Sequence, residues 1–86
     1  MASIQEVANA AYLIGQAAKD AELKTTVCAS TLQTHSSQLA ATVRGSRTGE
    51  DAVQQVITAQ HSLQDTAARL ITLQSTIDTF IQDLTK

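Results

Sequence analysis

The chain has 86 residues and a formal charge of -2, with no proline or tryptophan, one cysteine, one tyrosine and one phenylalanine. That length gives one small domain; absent proline and scarce glycine favour long helices over turn-rich β architecture, and the acidic balance argues against a nucleic-acid partner. A single cysteine excludes an internal disulfide, and no apolar run approaches the roughly 18–20 residues that cross a bilayer, so membrane insertion is not expected.

From the N-terminus, MASIQEVANAA has no basic stretch ahead of an apolar core, so no Sec-type signal peptide is expected. Ser3-Ile4-Gln5-Glu6 has the serine and glutamate spacing of a capping box and predicts a helix start. Beyond it, residues suited to burial recur at steps of three and four: Ile4, Val7, Ala11, Ile14, Ala18, Ala21, Thr25, Cys28, Leu32, His35, Leu39. That is the spacing of a heptad seam. Arg44 is expected in the last turn, where a cation meets the negative helix end, and Gly45 as the left-handed residue that stops it.

Thr48 is the expected cap of a second helix, with Glu50 and Asp51 in its first turn. That helix carries a strict seven-residue repeat, Val56, Leu63, Leu70, Ile77 and Leu84, with apolar columns beside it. Val53, Ala67 and Ile81 form one, Ala52, Ala59, Leu73 and Phe80 another, and Ile57 and Ile71 lie on the other side. Gln60 and Gln74 sit at the seam's edge, where an amide either fixes register or faces water. The prediction is all-α: a helix over about 4–44, a turn over about 45–48 and a helix over about 49–85, folded as an antiparallel hairpin.

Two antiparallel helices share one interface, yet the second offers about four apolar columns. The excess is expected to seek a partner, and pairing of hairpins into a four-helix bundle is the natural resolution. Leu13 and Val27 on the first helix, with Val56, Ile57, Leu63, Leu70, Ile71, Leu73, Ile77 and Phe80 on the second, are the expected partner-binding residues. The segment TTVCASTLQTHSS is rich in residues of poor helix propensity, so its order alone is in question.

No catalytic, metal or cofactor site is expected. Cys28 reads as a small buried hydrophobe on the seam, two turns from His35, and ~10 Å along one helix keeps a thiol and imidazole from converging. His61 lies on the outer side of the second helix. GSRTGED lacks the lysine and following hydroxyl of a phosphate-binding loop. A hairpin also offers no concave pocket for a substrate, so the chain does not read as an enzyme.

Two long helices about a mid-chain turn at Val43-Arg44-Gly45 resemble the Trp-x-Gly (WXG-type) family of small type VII secretion proteins. Valine stands where that family has tryptophan, and Phe80 is followed four residues on by Leu84 rather than by the acid of the family's export signal. The resemblance implies a protein made in the cytoplasm and secreted without a Sec signal. Alternatively, it implies a partner of a Leu-x-Gly (LXG-type) effector, binding that toxin's helical N-terminal domain. It further implies Val43 packed at the hairpin tip, Gly45 permitting the turn, and a contact with the type VII export ATPase. Partners on this reading are a second copy or another helical hairpin. Two rival readings stand beside it: a structural subunit of a helical assembly, such as a needle-like or phage component, and a cytosolic coiled-coil adaptor.

Overall fold

The computed structural model describes residues 2–86 and has two elements, α1 (Ile4–Thr42) and α2 (Arg47–Leu84). They pack on each other as a helical hairpin measuring 63 × 19 × 13 Å. Ser3 caps α1, its Oγ accepting from the Glu6 amide at 3.1 Å, so the hydroxyl half of the predicted capping box is formed. The hydroxyl-rich segment is continuous helix. Its side chains turn back on the preceding turn, with Thr34 Oγ1 donating to the Ser30 carbonyl and Ser37 Oγ to that of Gln33. This satisfies the hydroxyls without breaking the ladder.

The turn comes about two residues earlier than the sequence predicts. Helix α1 ends at Thr42 with Val43 as its C-cap, so Arg44 lies beyond the last turn. Ser46 N–H donates to the Val43 carbonyl at 2.9 Å, closing a four-residue turn. Gly45 takes φ 87 at its third position, where a type II turn demands a left-handed residue. The cap of α2 is Ser46 rather than Thr48: its Oγ accepts from the Gly49 amide at 3.2 Å. Glu50 reaches back, its Oε1 accepting from Gly45 N–H at 3.4 Å.

The seam corrects one predicted column by a single residue. Column Ala11, Ala18, Thr25, Leu32 and Leu39 faces α2 as expected. Its companion is Ala8, Gly15, Glu22, Ala29, Ser36 and Val43; of the predicted Val7, Ile14, Ala21, Cys28 and His35, Val7 and Ala21 are half-buried at the seam's margin and the other three are exposed. Cys28 and His35 are therefore exposed instead of seated in the seam, and Ile14 is 52% exposed. The reason is the closeness of the helices. A Cβ on Gly15 would stand 3.3 Å from Ile77 Cγ2, and one on Gly49 2.5 Å from Val43 Cβ. At those two points only a small side chain fits between the backbones.

These two contacts also fix the register. Stepping one heptad at a time from Gly15 opposite Ile77, Glu22 comes level with Leu70, Ala29 with Leu63 and Ser36 with Val56, arriving at Val43 opposite Gly49. Apart from Glu22, small residues of α1 thus face the large repeat of α2, and the relation reverses at the tip. The resulting core is thin. Its buried apolar residues are Ala11, Ala18, Ala29, Ala67 and Val53, and no side chain among the described residues is fully buried. Alanine contributes about a methyl group of burial, ~0.8 kcal/mol, where a leucine contributes ~1.5–3 kcal/mol.

Candidate functional site

The heptad positions set a distinct flank on each side of the seam. On the first, Tyr12, Gln16 and Lys19 of α1 share a shallow groove with Gln74, Ile77 and Asp78 of α2. Farther towards the tip, Thr26, Ser30 and Gln33 share another with Gln64, Ala68 and Ile71. Amides, hydroxyls and charges line this side together with Tyr12 and Ile71, both large and exposed. Ile14 lies about 200° round α1 from Tyr12, and Leu73 the same round α2 from Ile71, at 100° per residue. The second flank is therefore built of Ala10, Ile14, Ala17 and Ala21 from α1 with Leu73 and Phe80 from α2. Leu13 lies on the back of α1 between the two flanks, and Val27 on the Tyr12 side of that back; each is 66% exposed.

The predicted partner-binding residues fall into two groups. Val56, Leu63, Leu70 and Ile77 are half-buried in the hairpin's own seam, and Ile57 is half-buried at its margin. Leu13, Val27, Ile71, Leu73 and Phe80 are exposed. Sequence reasoning passed over Leu23, exposed in either register, and placed Ile14 in the seam, from which the one-residue rotation of α1 removes it. The signal was present: a glycine in mid-helix, Gly15, costs stability unless a neighbour approaches closely. Of the two seam-edge amides, Gln60 is buried and Gln74 half-buried, with Gln74 Nε2 donating to the Leu70 carbonyl at 3.2 Å.

The exposed apolar residues are not spread evenly. All nine large ones lie between Ile4 and Val27 on α1 or between Ile71 and Phe80 on α2, which is the end of the hairpin away from the turn. Towards the tip, α1 presents Thr31, Gln33, Thr34, His35 and Gln38 instead. The described chain exposes 6313 Å². A compact monomer of its mass would expose about 4,900 Å², leaving an excess of about 1,400 Å².

Among the described residues charged groups do not tie the helices together. The ion pairs Lys19–Glu22, Lys24–Asp20 and Arg69–Asp65 each lie within one helix, and Lys86–Asp83 joins the end of α2 to the residue past its C-cap. Exposed i,i+3 and i,i+4 pairs of this kind contribute only ~0.3–0.5 kcal/mol each, and only Glu22 among these groups is largely covered. Among the described residues no cluster of three or more metal-ligating side chains forms, and no helix is long and apolar enough to cross a membrane. The arrangement defines a class: a helical hairpin whose seam consumes its small residues and leaves large apolar ones facing outward. Comparison with models of known families, with curated proteins and with solved structures finds no match for this chain.

Proposed function

We propose that this chain is a small non-enzymatic interaction protein of the type VII secretion kind, working by helix–helix packing. It is either exported itself or accompanies an exported Leu-x-Gly effector by binding that protein's helical N-terminal domain. The observation carrying this reading is the exposed apolar flank of Ile14, Leu73 and Phe80, continuous across both helices. A surface of that kind is matched in chemistry by the apolar face of another helix. The turn supports the family likeness, because Val43 packs at the hairpin tip against Gly49 while Gly45 supplies the left-handed residue. The exposed tip, with Arg44 beyond the helix end, is the part offered to the export ATPase.

The test is export in the native host. The chain, or an effector that co-purifies with it, is expected in the culture medium when the type VII ATPase is intact and absent when it is deleted. Equal amounts outside the cell in both strains would refute the export reading. A charge placed on the flank, Leu73→Lys, is expected to abolish effector co-purification while leaving the helical signal in circular dichroism.

A further inference from the structure

We propose that α1 exchanges between two packings on α2, by a turn of its open-end half about its own axis, and that this turn withdraws Ile14 from the apolar flank. Ala11, Ala18 and Thr25 face α2 in both packings. Their companions change from Ala8, Gly15 and Glu22 to Val7, Ile14 and Ala21. Because the shared column lies between the two alternatives, the turn is about 50°, half the 100° between successive residues. The proposal rests on the reading of the flank as a partner surface and adds its regulation.

The observed seam changes character along its length. Near the tip one column is fully chosen: Ala29 and Ser36 are buried, while Cys28 and His35, one residue back, are exposed. Towards the open end the seam is divided. Ala8 and Glu22 are half-buried there, but so are Val7 and Ala21, and of the second set only Ile14 stands outside. The open-end half of α1 thus already leans towards the other packing.

The two ends differ because the tip is locked. Val43 stands so close to Gly49 that a Cβ there would lie 2.5 Å from Val43 Cβ, and the hydrogen bond from Ser46 to Val43 closes the turn. At the open end the close contact of Gly15 falls on a side-chain methyl of Ile77, and among the described residues no ion pair crosses between the helices. Twist can therefore accumulate with distance from the tip. Spread over the roughly 28 residues from Gly15 to Val43, 50° is about 2° per residue. An α-helix drifts by more than that, ~20° per heptad, against a seven-residue repeat.

Glu22 supplies the drive. Its side chain is 12% exposed in the seam, level with Leu70, and its ion pair, to Lys19 Nζ at 3.8 Å, lies on its own helix. A covered carboxylate without a partner across the seam favours any packing that returns it to water. The turn carries Glu22 out to the Tyr12 side and brings Ile14 onto Ile77. Opposing it, the width of Ile14 parts the helices and loosens the contacts of Ala11 and Ala18. With these effects opposed, the two packings lie close in free energy, and the rotated one holds a minor population of about 1–10%. A partner gripping Ile14, Leu73 and Phe80 binds only the observed packing, so the rotated fraction lowers its affinity.

The experiment is nitrogen-15 relaxation dispersion on the full chain carrying Phe80→Lys, a substitution outside the seam that keeps association out of the signal. Exchange on the microsecond-to-millisecond scale is expected from Val7 to Ala29 and across α2 from Leu63 to Leu84, fading towards the tip and absent from Val43 to Val53. Adding Glu22→Leu, which removes the charge at similar size, should lower the rotated population at least tenfold. Gly15→Leu, too large for the observed contact with Ile77, should invert the populations. In that variant Ile14 gains proton contacts with Ile77, and the Tyr12 ring leaves the groove it shares with Ile77 and Ile81. Should Gly15→Leu lose its helical circular dichroism, the Glu22→Leu comparison decides alone. Flat dispersion in α1, exchange equally strong at the tip, exchange unchanged by Glu22→Leu, or a folded Gly15→Leu with Tyr12 still in its groove would each overturn the proposal. Flat dispersion with ATPase-dependent export would sink the rotation and keep the export reading; exchange as expected with ATPase-independent export would do the reverse.

Discussion

Replacing Gly49 by alanine separates close packing from helix propensity, because the two predict opposite signs. Within a helix, Gly→Ala ordinarily stabilises by ~0.5–1 kcal/mol. Here the new Cβ would stand 2.5 Å from Val43 Cβ, 2.9 Å from its Cγ2 and 3.0 Å from its Cγ1. The nearest atom belongs to the stem of the valine, which no rotamer change moves, so the tip backbone must shift. Overpacking of this kind costs ~1–3 kcal/mol, which leaves a net loss of about 1–2 kcal/mol after the propensity gain. For a chain of this size that lowers Tm by roughly 5–15 °C. The assay is thermal unfolding followed by circular dichroism, with both proteins at one concentration, since association makes Tm concentration-dependent. Trimming the valine alone, in Gly49→Ala/Val43→Ala, relieves the two methyl contacts and not the shortest one, so recovery should be partial. Gly49→Ala/Val43→Gly removes the clash, although the second glycine has its own cost. A neutral or raised Tm in Gly49→Ala alone would refute the close-packed tip.

Three further outcomes follow from the same geometry. Gly15→Ala should change stability by less than about 0.5 kcal/mol, because the 3.3 Å neighbour is a methyl of Ile77 that can give way; Gly15→Leu should cost about 1–3 kcal/mol by forcing the helices apart. Ser46→Ala should lose about 1 kcal/mol with its cap, while Thr48→Ala, inside the first turn of α2, should leave unfolding within about 0.5 kcal/mol of wild type. Gln60→Leu should raise Tm by the equivalent of up to about 1 kcal/mol, since a polar residue only 7% exposed is replaced by an apolar one of similar size; a lower Tm would show that the amide makes an interaction the seam needs.

The hairpin was legible because its signals are long-range and redundant. Five aliphatic residues at seven-residue spacing in α2 define a column that no shift can improve, and Gly45 followed by the hydroxyls of Ser46 and Thr48 marks the break. The rotation of α1 was not legible by hydrophobicity, because ranking by apolar character prefers Val7, Ile14 and Cys28 to Ala8, Gly15 and Ala29. Distance between the backbones reverses that preference, and distance is a property of both helices together. The cap misassignment has a local cause: Ser46 and Thr48 are both competent hydroxyls, and only the turn closed by Val43 and Ser46 decides between them. For the exposed surface, the second-helix residues Leu73 and Phe80 were readable as excess columns, whereas Ile14 emerged only once α1 was turned.

That one-residue rotation carries the functional argument. Had α1 packed on its larger column, Ile14 would lie inside the hairpin and the helices would stand farther apart. Placing Gly15 and Ala29 at the contact instead forgoes about 1.5–3 kcal/mol for each large side chain left outside. A chain selected for a stable isolated hairpin would gain by the opposite choice. The forgone burial is recovered only when a second surface covers the flank, so association and stability are linked by mass action. The consequence is measurable: Tm should rise with protein concentration in wild type, and that dependence should vanish in Phe80→Lys, whose substitution touches the flank and leaves the seam intact. A wild-type Tm independent of concentration would mean that the small-residue seam is sufficient by itself, and the outward-facing isoleucine, leucine and phenylalanine would then need a partner other than this chain.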